Sequence, residues 1–288
     1  MVSSNFRIIY LLFLVKHVMN YRLYIILFFS IFYCSCLDKV IYYPDNKVAI
    51  RGNIPFPIED VYIKVNDEVT LHGWFVLNHN AEFTLIYFHG NAGNITNRVE
   101  KINILYQIPL SVFIIDYRGF GKSSGKPSEG GLYADALASY DFLINNKQLS
   151  PDSIIIYGES LGGAVAAYCA TKRNTAGVIL DSAFTDIYSM VKHHSAGFMY
   201  IFFSEKYPTI DYMQSIRCPV LILHSKDDEV APFAMGQALY NASSSKHKQF
   251  VPLHGSHNAN FIVDKATYVN SIQSFIQSLK TPSKEYGQ

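Results

Sequence analysis

Three kinds of side chain that together activate a hydroxyl occur in this chain in a telling order. A serine sits inside Gly158-Glu159-Ser160-Leu161-Gly162, an acidic stretch follows in His224-Ser225-Lys226-Asp227-Asp228-Glu229-Val230, and imidazoles come last in His254-Gly255-Ser256-His257-Asn258. A serine hydroxyl attacks a carbonyl only when a base takes its proton and a carboxylate orients that base. Gly-x-Ser-x-Gly between a strand and a helix places the hydroxyl on a sharp turn, and the acid and the histidine then follow in the order Ser, Asp or Glu, His. His257 is the better base, because it lies beyond the Gly255-Ser256 turn and can point back over the sheet edge, whereas His254 belongs to a strand end. His193 and His194 fall between strands and read as surface or lid residues.

Acyl transfer also needs donors for the negative charge that develops on the carbonyl oxygen. The Leu161 amide follows the nucleophile at a helix N-terminus, where the dipole favours an anion. A second donor is expected from His89-Gly90-Asn91-Ala92-Gly93-Asn94, whose small residues allow close backbone approach; the Asn91 amide is the first choice and Ala92 the next.

The elements that must hold these residues are legible from periodicity. The β-branched run Ser153–Tyr157 reads as a buried strand leading into the serine turn, with Ala164–Ala170 as helix behind it. Phe83–Phe88, Ser111–Ile115, Gly177–Leu180, Val220–Leu223 and Gln249–Leu253 read as further strands, and Val61–Val69 with Thr70–Leu77 as a pair around Asn66-Asp67. Arg98–Tyr106 and Leu132–Ile144 carry apolar residues at helical spacing, and Val269, Ile272, Phe275, Ile276 and Leu279 mark a closing helix. Alternating strands and helices of this length predict an α/β fold with a mostly parallel central sheet flanked by helices, in one domain over residues 38–288.

With 288 residues the chain can bury one large core. Its net charge of +1 and lack of a Lys/Arg stripe argue against a nucleic-acid partner. Cys34 and Cys36 have no matching second pair, so no metal site is expected, and Cys169 and Cys218 read as plain buried residues. Residues 1–37 read differently from the rest. Ile8–Val15 and Leu23–Tyr33 are apolar runs separated by Lys16, His17 and Arg22, each too short to span a bilayer alone. Met19 offers an alternative start, and from there Leu23–Tyr33 followed by Cys34-Ser35-Cys36 resembles a bacterial lipoprotein signal, with Tyr33 departing from the usual pattern. An uncleaved anchor over about Met19–Leu37 is the competing reading. Both make the protein membrane-directed and exported, held at the cell envelope through its N-terminal segment.

Four segments, Tyr87–Asn94, Asp116-Tyr117-Arg118-Gly119-Phe120-Gly121-Lys122-Ser123, Tyr157–Gly163 and Gly255-Ser256-His257-Asn258, resemble the α/β-hydrolase superfamily, and more narrowly the abhydrolase-domain serine hydrolases. The likeness covers roughly Tyr42 to Leu279. It implies a Ser160–Asp228–His257 triad, because the family's acid lies four residues after the strand-terminal histidine, which selects Asp228 over Asp227. Ser225 departs from the family's usual glycine, which is expected to loosen the turn. The likeness further implies hydrolysis of ester, thioester or amide bonds without a cofactor. The insert at about residues 184–216, with Met190, Phe198, Met199, Tyr200, Ile201, Phe202 and Phe203, is long enough for one or two short helices that could shield an acyl pocket. The expected activity is therefore cleavage of small-molecule or lipid-like acyl esters, with a related serine peptidase or a non-catalytic scaffold as the alternatives.

Overall fold

The central strands are buried at every position, and their side chains alternate between two cores, one on each face of the sheet. The computed structural model describes residues 41–49, 54–195 and 204–280. Within them Ile86, Phe88, Ile154, Ile156, Val178 and Leu180 face one core, while Leu85, Tyr87, Ile155, Tyr157 and Ile179 face the other. Successive strand residues point to opposite faces, so a run that is apolar at every position must be covered on both.

In chain order the strands are β1 (Tyr43–Pro44), β2 (Glu59–Lys64), β3 (Thr70–Val76), β4 (Phe83–Phe88), β5 (Ala92–Gly93), β6 (Leu110–Ile115), β7 (Ile154–Glu159), β8 (Gly177–Asp181), β9 (Val220–Ser225) and β10 (Lys248–Leu253). The helices are α1 (Val99–Gln107), α2 (Glu129–Asn145), α3 (Leu161–Lys172), α4 (Ile187–His194), α5 (Thr209–Met213), α6 (Phe233–Ala242), α7 (Asn260–Val263) and α8 (Lys265–Lys280). The main sheet has eight strands in the order β10-β9-β8-β7-β4-β6-β3-β2. β2 and β3 pair antiparallel, as do β3 and β6, and the remaining pairs are parallel. The short β1 pairs with β5 in a separate two-stranded sheet.

β4 lies between β6 and β7, and the helices that follow β4 and β7 go to opposite faces. Ile102 and Leu105 of α1 pack in one core and Ala164 and Val165 of α3 in the other. A crevice opens at such a switch point, at the carboxyl ends of the strands. The loops after β4 and β7 are therefore neighbours.

The α/β architecture expected from periodicity is the one adopted, with shifts at element ends. The first hairpin strand runs Glu59–Lys64 rather than from Val61 to Val69, because the Asn66 side chain accepts from the Glu68 and Val69 amides and turns the chain there. β7 continues through Gly158 and Glu159 up to the serine, since both still pair with β8. Helix α6 packs beside β9 and was not anticipated, its apolar residues being mixed with Gly236, Gln237 and Asn241. Cys169 is buried in α3 as expected, whereas Cys218, just ahead of β9, is only partly covered. Within the insert, α4 and α5 are the two short helices foreseen, while Phe198–Phe203 and residues 1–40 lie outside the described residues. Among the described residues no helix is long and apolar enough to cross a membrane.

Candidate active site

The turn between β7 and α3 places Ser160 in a backbone conformation that side-chain-bearing residues rarely adopt, with φ 53° and ψ −116°. Such geometry costs on the order of 1–3 kcal/mol and persists only when its surroundings enforce it. The Ser160 amide donates to the Asp181 carbonyl and the Gly163 amide to the Ser160 carbonyl, both at 2.9 Å. The glycines permit the close approach. A Cβ on Gly162 would stand 1.9 Å from the Phe88 carbonyl oxygen, and one on Gly158 would stand 2.2 Å from the Gly162 carbonyl oxygen.

The loops after β9 and β10 bring the other two groups to this turn. His257 Nε2 lies 2.9 Å from Ser160 Oγ, and its Nδ1 lies 2.9 and 2.8 Å from the two Asp228 carboxylate oxygens. A carboxylate at Nδ1 fixes the proton on that nitrogen, which leaves the Nε2 lone pair facing the serine hydroxyl. The Val230 and Ala231 amides donate to Asp228 Oδ1 at 2.9 and 2.7 Å. Burial pushes the Asp228 carboxyl up, but the His257 contact and these two amides outweigh it and leave the group below the usual carboxylate range. The side chain is thus ionised at neutral pH and able to stabilise an imidazolium.

Asp227 points elsewhere. Its exposed carboxylate accepts from the Gly255 amide at 3.1 Å and contacts His254 Nδ1 at 3.0 Å. Ser225 acts against the expected loosening. Its hydroxyl donates to the Gly255 carbonyl and accepts from the Asp227 amide at 3.1 Å, so it ties the acid loop to the histidine loop. Glu229, which the sequence reading passed over, accepts from the His257 amide at 3.0 Å.

Ser160 and His257 open onto a cavity of about 670 Å³. Asn91 and Leu161 line it beside Ser160, and the Gly90 backbone is so close that a Cβ there would stand 3.5 Å from Ser160 Cβ. Much of its lining is apolar, built by Ile41 and Tyr43, by Phe184, by Ile187, Met190 and Val191 of the insert, and by Val230. His194 also lines the cavity, with Nε2 2.7 Å from the Val230 carbonyl, whereas His193 lies over a separate groove.

A buried ionic network beneath the serine was not foreseen. Lys101 is 2% exposed, with Nζ 3.0 Å from Glu159 Oε1 and 2.8 Å from Asp181 Oδ2. Arg98 Nε is 3.3 Å from Glu159 Oε2, and Arg98 Nη2 donates to the Ala92 carbonyl at 2.9 Å. Tyr87 donates to Glu159, Tyr157 donates to Asp181 at 2.6 Å, and Asn260 Nδ2 donates to Asp181 Oδ1 at 2.9 Å. Burial would raise the Glu159 carboxyl, yet Lys101 and Arg98 hold it far below the usual range. The network joins the loop after β4, the serine turn and the helix that follows His257. Periodicity offers no sign of it, because a lysine between apolar helix positions ordinarily reads as solvated. Among the described residues no group of three or more His, Cys, Asp or Glu is arranged to hold a metal ion.

An eight-stranded, mostly parallel sheet with a serine, a histidine and an aspartate at its carboxyl edge defines the class, and the chain belongs to the α/β-hydrolase superfamily. Within it, the family model described as serine aminopeptidase, S33 (Hydrolase_4) matches residues 79–214. The chain is 33% identical over 257 residues to protein YfhR of Salmonella typhi, covering 82% of this chain and 87% of that one. It is 32% identical over 230 residues to protein bem46 of Schizosaccharomyces pombe, covering 74% and 77%. Among solved structures it is similar to the Pyrococcus furiosus esterase Pf2001, with a TM-score of 0.69 at 19% identity over 84% of this chain and 98% of that one.

Proposed function

We propose that the protein hydrolyses carboxylic esters or thioesters through an acyl-enzyme on Ser160. The observation that carries this reading is the hydrogen-bonded series Asp228–His257–Ser160 opening into a cavity with a largely apolar lining. In the reaction, Ser160 Oγ attacks the acyl carbonyl carbon as its proton passes to His257 Nε2, and Asp228 stabilises the imidazolium. The oxyanion is met by the Leu161 amide at the start of α3 and the Asn91 amide after β4. As the tetrahedral intermediate collapses, His257 returns the proton to the departing oxygen or sulfur. Water, deprotonated by His257, then releases the acid and restores Ser160.

The peptidase alternative fits less well. An aminopeptidase needs a free carboxylate for the substrate ammonium, and Glu159 is the acidic side chain among the described residues that line the cavity. It is already occupied by Lys101, Arg98 and Tyr87. A scaffold without catalysis would have no use for a strained serine aligned with a base. The test is kcat/KM over p-nitrophenyl esters from two to eight carbons, alongside an aminoacyl p-nitroanilide. Burial of each CH₂ is worth about 0.8 kcal/mol, so kcat/KM should rise about three- to fourfold per carbon until the cavity is filled. A flat series would contradict the acyl pocket, and preference for the anilide would favour the peptidase.

A further inference from the structure

The residues just ahead of the hydrolase sheet form part of the site. The Tyr43 amide donates to the Asn91 carbonyl at 3.4 Å and the Asp45 amide to the Gly93 carbonyl at 3.1 Å. In return Asn94 Nδ2 donates to the Asp45 and Lys47 carbonyls at 2.8 and 3.2 Å, and the Gly121 amide to the Asp45 carbonyl at 3.2 Å. Tyr42 and Tyr207 share a hydrogen bond of 2.5 Å between their hydroxyls. Residues 41–47 are thus a strap clamped onto the loop that carries Asn91, and Ile41 and Tyr43 supply cavity wall.

The strap fixes where the upstream chain enters. The apolar run Leu23–Tyr33 ends eight residues before Ile41, and that length of extended chain spans at most about 28 Å. Any lipid surface that holds this run or an acylated Cys36 lies within that distance of the cavity. A second observation, independent of the leader, points the same way. Among the described residues the exposed large apolar side chains are Tyr43, Tyr62, Leu77, Tyr188, Ile262 and Val263. Four of these stand on the strap, on α4, whose residues line the cavity, and on α7, which closely follows the cavity-lining His257 and Asn258. Val263 is 63% exposed and Tyr43 55%. Exposed apolar groups on the strap and α4, which line the cavity, and on the adjoining α7 offer an interaction surface, and tyrosine suits the boundary between headgroups and acyl chains.

We propose that the mouth of the cavity docks on a lipid bilayer, with the strap setting its distance from the membrane, so that the scissile acyl group enters from the lipid phase. This rests on the acyl-hydrolase reading of the site. A long-chain ester or thioester embedded in the bilayer then reaches Ser160 without its chain crossing water.

The experiment uses the full-length chain reconstituted in phosphatidylcholine vesicles, with two substrates: soluble p-nitrophenyl butyrate and a fluorogenic long-chain ester dissolved in the vesicles. One variant carries a 30-residue (EAAAK)₆ spacer between Leu37 and Asp38, about 45 Å long where helical. A second carries Ile262→Asp with Val263→Asp. Wild type should float with the vesicles, and each variant should turn over the embedded ester at least tenfold more slowly while keeping butyrate turnover within twofold. Embedded-ester turnover unchanged in both variants would overturn docking and leave the hydrolase reading standing. Equal loss on both substrates, or wild type that does not float, would also overturn docking. Wild type inactive on both substrates would instead overturn the hydrolase reading on which docking rests.

Discussion

Asp227 and Asp228 are adjacent and chemically identical, yet the loop sends them to different places. Asp228 is buried against His257 Nδ1 with two amides on one oxygen, and Asp227 is exposed beside His254. Asp228→Asn is therefore expected to lower kcat by about 10⁴-fold, as loss of the orienting carboxylate does in triads of this kind. Asp227→Asn should stay within a few-fold, and the pair of kcat values on p-nitrophenyl butyrate checks this; the reverse order would move the acid to Asp227. Ser160 and His257 could be picked from the sequence because a glycine-flanked strand–helix turn and a position after the last strand restrict the candidates. Choosing between the two aspartates needed the family likeness, because spacing alone left both open. Glu229, Asn260 and Lys101 were not legible, since each acts through partners far away in sequence.

At the scale of elements, the serine turn is held by packing and by charge. α3 approaches β7 at Gly158 and the end of β4 at Gly162 so closely that both positions must lack side chains, which the Gly-x-Ser-x-Gly pattern does announce. The Lys101–Glu159–Arg98 cluster is the part it does not announce. Glu159 has a folded-state pKa depressed below its ordinary value of 4.5, so its stabilisation is present above that value and is lost as pH falls below it. Glu159→Gln leaves Arg98 without its carboxylate and Lys101 with Asp181 alone, and is expected to cost about 3–5 kcal/mol at pH 7. Denaturant melts from pH 7 down to pH 3 should show the gap between wild type and variant narrowing below about pH 4.5, because only wild type loses this contribution there. A gap that is constant with pH would mean that Glu159 is not ionised in the folded protein. Strand and helix order was readable because the central strands are mostly apolar and buried at every position, covered on both faces. The ends of elements were less so: side-chain turns such as Asn66 and pairing beyond the apolar run decide them.

For the whole molecule, distant parts of the chain converge on one edge of the sheet: the strap before β2, the loop after β4, the turn after β7, the insert after β8, and the loops after β9 and β10. The strap's share in that edge was not visible beforehand, because two extended residues pairing with a glycine-rich loop leave no periodic mark. The aromatic run at Phe198–Phe203 and the apolar run Leu23–Tyr33 lie outside the described residues. Nucleophilic attack by Ser160 is tested most directly by covalent labelling. Intact full-length protein treated with a fluorophosphonate and digested for mass spectrometry should carry the phosphonyl group on the peptide containing Ser160. Ser160→Ala should carry none, and His257→Ala should react at least about 10³-fold more slowly. Equal labelling of wild type and Ser160→Ala, or modification at another serine, would contradict it.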